Sequence, residues 1–256
     1  MAANDINSIQ DLLSVFERER IAKWGQAHIR FWFRGHSVAG WKLVPGVYRS
    51  GFKAETEADR LRLEQHLTQD FRIQSSGLRH GRNSEAEIYF LQQHYKMPTR
   101  LLDWSTSPLS ALYFAVVADP TADGELLWMD AYRLDAQAIP KSDFHGIGSQ
   151  RHPYFTNALK PIFNFGKVSD FPEYIFAVRP DYMDTRVNSQ SSCFTFHVPN
   201  RPELTQKEND RLRRLRIPAA SKTRLTSELR LLGIDHFSVF GDLEGLASRL
   251  RTAYSV

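Results

Sequence analysis

Stretches of helical period and stretches of strand period follow one another irregularly in this chain, and the helical ones outnumber the strands. That order excludes a doubly wound sheet of βαβ units. It fits an α+β fold, a small mixed or antiparallel sheet surrounded by helices. Ile9, Leu12, Leu13 and Phe16 recur at helical spacing and predict a helix over Ser8 to Glu19. Ile29 to Phe33 is a short aromatic and β-branched run that reads as a strand ending at Arg34-Gly35. Gly40, Pro45, Gly46 and Gly51 mark residues 36–53 as a loop. Leu61, Leu63, Leu67, Phe71 and Ile73 predict a helix over 55–74. Ser84-Glu85-Ala86-Glu87 has the form of a capping box and opens a helix toward Gln93. Pro98 interrupts the helical path, and Pro108 suits the first turn of a helix over Leu109 to Val117. Strands are expected over Glu125 to Ala131, Tyr174 to Val178 and Cys193 to Val198. Thr205 to Glu208 reads as a second capping box opening a basic helix through Arg216. Helices over Ser221 to Leu231 and Leu243 to Thr252 close the chain.

The 256 residues are 42% hydrophobic, enough for one sizeable core. No repeat, low-complexity tract or long linker divides them, so one domain is expected over 1–256. Cys193 is the single cysteine, which excludes an internal disulfide and suits a reducing cytoplasm. The first residues lack the charged and apolar regions of a secretory signal. No apolar run is long enough for a membrane span. The nine histidines show no paired metal-ligand spacing, so no metal is expected. A formal net charge of +4 is compatible with an anionic ligand such as a nucleotide or nucleic acid.

Two segments concentrate the chemistry. Arg34 ends the aromatic strand, and its five fixed donors suit a phosphate or carboxylate. Gly35 would let a ligand approach the backbone. The structural alternative is an arginine paired with an acid at a strand end. The second segment runs from His94 through Tyr95, Arg100, Asp103, Ser105, Thr106 and Ser107 to Pro108. Its hydroxyls at a helix start suit an anionic or ribose-bearing ligand. They also suit an N-cap, and Arg100 with Asp103 could form a local ion pair. There is no nucleophile elbow, P-loop or dinucleotide-binding glycine fingerprint. Gly146 and Gly148 give a lone G-x-G that reads as a flexible loop. Arg211, Arg213, Arg214 and Arg216 form the densest basic run, either a nucleic-acid contact or a solvated helix face.

Phe33-Arg34-Gly35, Trp41 to Pro45 with Arg49, and His94-Tyr95 with Pro98 to Trp104 together resemble the FRG domain family. The likeness continues through Ser107-Pro108 and Ala111 to Ala115, then Gln190 with Phe194-Thr195, then Phe240 to Ala247. The family is often met in bacterial and phage-related proteins. More distantly, the order Phe33-Arg34-Gly35, Ser105-Thr106-Ser107, Gln190 is similar to mono-ADP-ribosyltransferases of the Arg-Ser-Glu type. That likeness implies an ADP-ribosyltransferase-like fold and NAD as substrate. It implies that Arg34 and Ser105 to Ser107 hold NAD, with Gly35, His94, Tyr95 and Arg100 beside them. Gln190 takes the place of the catalytic glutamate. A neutral amide cannot supply the carboxylate's charge, which leaves Glu87 or Glu125 as acids that could complete the site.

Three functions follow as expectations. The first is an NAD-using ADP-ribosyltransferase acting on a protein or nucleic acid, as a toxin or a phage-defence effector. The second is a module that binds a nucleotide or nucleic acid without turnover. The third is an interaction protein in which Arg34 and Asp103 are buried partners.

Overall fold

The computed structural model describes residues 5–19, 21, 30–78, 83–139, 147–149, 151–180 and 191–254. Its strands are β1 (Phe31–His36), β2 (Leu101–Ser105), β3 (Gly124–Asp130), β4 (Gly148–Ser149), β5 (Phe176–Arg179), β6 (Ser192–Phe196) and β7 (Arg213–Ile217). Its helices are α1 (Ile9–Arg18), α2 (Glu57–Gln74), α3 (Glu85–His94), α4 (Pro108–Val116) and α5 (Ala131–Ala138). They continue with α6 (Pro153–Phe163), α7 (Lys222–Leu231), α8 (His236–Phe240) and α9 (Leu243–Tyr254). Among the described residues no helix is long and apolar enough to cross a membrane.

The seven strands form one mixed sheet in the order β4-β5-β6-β2-β1-β3-β7. Only β4 and β5 run parallel; the other neighbours are antiparallel. The α+β class therefore holds. The sheet has a seam at its centre. β1 and β2 share the single register pair Phe33↔Ser105. On either side the ladders are full: β1 pairs β3 from Phe31↔Asp130 to His36↔Glu125, and β2 pairs β6 from Leu101↔Phe196 to Ser105↔Ser192.

Strand alternation sorts the core. Phe31 and Phe33 of β1, Leu126 and Trp128 of β3, and Leu215 and Ile217 of β7 pack against α1, α4 and α7. Leu101, Phe176, Phe194 and Phe196 pack with side chains of α2, α3 and α6. Trp32, Leu102, Trp104, Leu127 and Met129 form a third cluster with Leu43, Leu134 of α5 and Leu212. Each such fully buried large side chain contributes about 1.5–3 kcal/mol.

Local signals explain the helix starts. Ser84 and Glu87 form both reciprocal bonds of the capping box at α3. Ser107 caps α4, its Oγ accepting from the Ser110 N–H at 3.2 Å, with Pro108 in the first turn. Buried Lys222 donates Nζ to the carbonyls of Ser37 at 2.7 Å, Asp119 at 2.6 Å and Ala118 at 3.2 Å. It thereby ties the end of β1 to the chain that leaves α4.

Three expectations need correction. The basic helix from Thr205 through Arg216 is a turn followed by strand β7. Glu208 accepts from the Thr205 N–H and hydroxyl, so the capping pair exists, but no helix follows it. Leu215 and Ile217 point inward at period two while Arg214 and Arg216 point outward, which is strand chemistry. Leu101 to Ser105, where no strand was expected, is the central strand β2, and the segment then leads into α4 at Pro108 as expected. Gly148, expected in a flexible loop, lies in β4; Gly146 lies outside the described residues.

Candidate functional site

Arg34 sits at the seam. Register continuing from Phe33↔Ser105 would pair Gly35 with Asp103, yet β1 and β2 have parted there. The Arg34 side chain fills the break: Nη1 donates to the Asp103 carbonyl at 2.5 Å, and Nε donates to His36 Nε2 at 2.9 Å. The Asp103 carboxylate lies 3.9 Å from Nη1 and is more than half exposed, so it faces the arginine loosely. Burial pulls the Arg34 pKa down to about 10; Asp103 opposes that shift and Arg49 adds to it. A cation so placed has lost part of its hydration shell and gains from an incoming anion.

A cleft of about 720 Å³ opens at this seam. Arg34, Arg49 and Lys96 bring three cations to it, and Asp103 is the one acidic side chain of its described lining. Trp41, Phe52 and Phe114 supply aromatic surface, with Trp41 half exposed. Lys96 has φ +62°, left-handed backbone that is uncommon outside glycine, and its turn follows α3 directly. Cations beside aromatic faces form a surface suited to a ligand with both phosphate and planar rings.

Within the segment Pro98 to Trp104, Pro98, Leu101, Asp103 and Trp104 border the cleft. The Thr99 hydroxyl donates to Gln93 Oε1, and Gln93 Nε2 donates to Asp103 Oδ2 at 2.9 Å. Arg100 turns away from the cleft and is fully buried. Its Nε bonds Glu64 at 2.8 Å, its Nη1 bonds the Tyr48 hydroxyl, and its guanidinium lies 4.4 Å from the Phe171 ring centre. Arg100 thus pairs with Glu64 rather than Asp103. It is a structural ion pair beneath the cleft, not a ligand contact.

Trp104 reaches the opposite face, where its indole N–H donates to Thr195 Oγ1 at 3.1 Å. The Thr195 hydroxyl donates to His197 Nε2 at 2.9 Å, and His197 Nδ1–H donates to the Pro202 carbonyl at 3.0 Å. These roles fix one neutral tautomer. Burial pushes the His197 pKa down to about 3. The unfolded imidazole, near 6.5, takes up a proton that the folded one refuses, so stability falls with pH below that value. The loss from this group is about 2 kcal/mol between pH 6.5 and 5, before most carboxylates titrate. Urea denaturation over that window should show it, and His197→Gln should flatten the slope.

The remaining sequence candidates divide. Ser105 lines the cleft, and its Oγ accepts from the Ser107 N–H at 3.0 Å. Thr106 and Ser107 are not among the lining residues; the Thr106 N–H donates to the Ser191 carbonyl, and Ser107 is the cap of α4. His94 and Tyr95 pack edge to face at 4.9 Å outside the lining, with Tyr95 exposed. Gln190 lies outside the described residues, two positions before the cleft residue Ser192. Gly35 lines the cleft, but its bareness serves packing. A Cβ there would stand 1.9 Å from the Ala111 carbonyl oxygen of α4. Glu125 is buried between His36 and Arg214, and Glu87 closes the cap of α3; neither is a lining residue. The basic run is largely engaged: Arg214 bonds Glu125, Arg216 bonds Asp5 and Asp123, and Arg213 bonds backbone carbonyls.

Arg49, Phe52 and Gln93 line the cleft without having been expected there, while Lys96 and Met97 belong to the expected His94 to Pro108 segment. Their one common signal is proximity to Pro45-Gly46 and Pro98. A Cβ on Gly46 would meet Pro98 Cα at 3.0 Å, so the two loops meet at a glycine.

A split sheet with a partly buried arginine at its seam and further cations around the opening gives this α+β domain a cationic cleft with aromatic walls. The FRG domain model matches residues 29–124, and the chain carries an FRG domain there. That span includes Arg34, Trp41, Arg49, Phe52, Lys96 and Asp103; Ser192 and the helices after β7 lie beyond it. Neither the curated proteins nor the solved structures yield a match.

Proposed function

We propose that the cleft binds a pyrophosphate-bearing nucleotide, with NAD as the candidate substrate, and that the domain transfers ADP-ribose from it to a macromolecule. The observation that carries this reading is Arg34 at the seam, desolvated and flanked by Arg49 and Lys96, with aromatic rings on the same cleft. Arg34 and Arg49 suit the pyrophosphate, and the aromatic side chains suit the adenine and nicotinamide rings. In the reaction the N-glycosidic bond breaks heterolytically, and its electron pair leaves with nicotinamide. An acceptor lone pair then forms the new bond to the ribose carbon, and the acceptor's proton passes to a base or water. Asp103 is the carboxylate available to offset the positive charge at the ribose, the role a neutral Gln190 cannot fill. A toxin or phage-defence role would follow from such an activity on a cellular target.

A second reading, nucleotide or nucleic-acid binding without turnover, draws on one observation. Asp103 already accepts from Gln93 and faces Arg34, so its charge is partly committed. Calorimetry with NAD, together with nicotinamide release and label transfer in lysate, separates the two. Arg34→Gln should weaken NAD binding by about a hundredfold, the scale of losing a charge-assisted contact. Asp103→Asn should abolish nicotinamide release while keeping binding. Binding without release leaves the second reading, and a folded protein that does not bind NAD removes the transferase.

A further inference from the structure

Behind Arg34, on the side away from Asp103, lies a line of polar groups that the reaction above does not use. His36 is buried on β1. Its Nδ1 lies 2.9 Å from Glu125 Oε1 on β3, directly across the ladder. Arg214 Nη1 of β7 donates to that same oxygen at 2.6 Å and, at 3.4 Å, to the Trp41 carbonyl. The Trp41 ring lies 5.8 Å from the imidazole, centre to centre. A carboxylate accepts, so Nδ1 carries the proton. Arg34 Nε–H donates, so Nε2 must be bare. The three-strand relay therefore requires one neutral tautomer.

We propose that His36 is the positioning residue of the cleft: as a neutral acceptor locked by Glu125 and Arg214, it aims the Arg34 guanidinium at the seam. This inference rests on the reading of Arg34 as an anion anchor. Among the described residues no acceptor is assigned to Arg34 Nη2, so fixing Nε and Nη1 leaves that amino group as the donor presented to a ligand. The charged groups facing His36 are Arg34 on its own strand, Glu125 on β3 and Arg214 on β7. Burial lowers its pKa; the Glu125 hydrogen bond opposes that, and the two arginines reinforce it. Protonation would place a donor against the Arg34 Nε–H and turn the guanidinium away. Anion binding should then weaken as pH falls through the lowered His36 pKa, on the acid side of the ordinary imidazole range, although the site gains a positive charge.

The test is NAD calorimetry from pH 5 to 8 on the wild-type chain, His36→Phe, His36→Gln and Arg34→Gln. The pyrophosphate of NAD keeps its charge throughout this range. His36→Phe should lose about tenfold in affinity at pH 7.5, and His36→Gln, which keeps an acceptor, should bind within about threefold and lose the acid limb. Affinity that rises as pH falls, or a folded His36→Phe that binds like the wild type, overturns the positioning role alone. Absence of Arg34-dependent NAD binding removes the anchor reading and this inference with it. Nitrogen-15 spectra of the imidazole need no ligand: a neutral ring protonated on Nδ1 is expected at pH 7, with the Nε2 signal moving in Arg34→Gln. An Nε2–H tautomer or an imidazolium at pH 7 overturns the relay.

Discussion

Gly35→Ala is expected to destabilise the domain by more than about 3 kcal/mol, enough to leave much of the chain unfolded. The added Cβ would lie 1.9 Å from the Ala111 carbonyl oxygen and 2.6 Å from the Ala115 nitrogen. Both atoms belong to the backbone of α4, so no rotamer change relieves the clash. The helix cannot shift without disturbing a second close approach, because a Cβ on Gly124 of β3 would stand 2.6 Å from the Ala115 carbonyl. Two bare strand positions and two alanines one turn apart let α4 lie directly on the sheet. Gly51→Ala is the control: it borders the same cleft, but nothing lies within 4 Å of its added Cβ. Chemical denaturation should find Gly51→Ala close to the parent. A Gly35→Ala chain as stable as the parent would mean that α4 does not sit this close to β1.

The second large effect belongs to the buried pair beneath the cleft. Arg100 and Glu64 are both at most 1% exposed, 2.8 Å apart, and the Tyr89 hydroxyl donates to Glu64 Oε1 at 2.7 Å. That hydroxyl also accepts the Arg100 backbone N–H at 2.7 Å. Removing either charge by Glu64→Ala or Arg100→Ala strands the other in the core and should cost about 3–5 kcal/mol. Replacing both, as Arg100→Met with Glu64→Leu, should cost far less than the sum, because no unpaired charge remains. The double-mutant cycle by urea denaturation measures the coupling. Among the described residues the buried Arg100 Nη2 has no hydrogen-bond partner, which already argues that the pair is not an optimum of stability. If the single replacements prove harmless, Arg100 is not the post that holds the start of β2.

The two segments that stood out in the sequence do meet, at the seam of the sheet. Amphipathic period gave α1, the leucines among charged residues gave α2, and the Ser84 box and Pro108 gave the starts of α3 and α4. β2 escaped because Leu101 and Leu102 are both buried, each on a different face, while Asp103 looks into the cleft. Such a strand has no simple alternation to read. β7 escaped for the opposite reason: Leu212 and Leu215 fall at helical spacing, but Leu212 belongs to the turn before the strand. The site was legible where one short motif carried it, as at Arg34. It was illegible where loops distant in sequence close on each other, as with Arg49 and Phe52. Glu64 lies 36 positions before Arg100, so no local pattern reveals that pair.

The single rung between β1 and β2 has a mechanical consequence. A continuous ladder resists shear at every residue, whereas here two full ladders share one register pair, braced by one guanidinium and bridged by α4. Load applied across the domain concentrates at that joint. A molecule wedged between Arg34 and Asp103 would become a structural member, bearing strain that the backbone leaves uncarried.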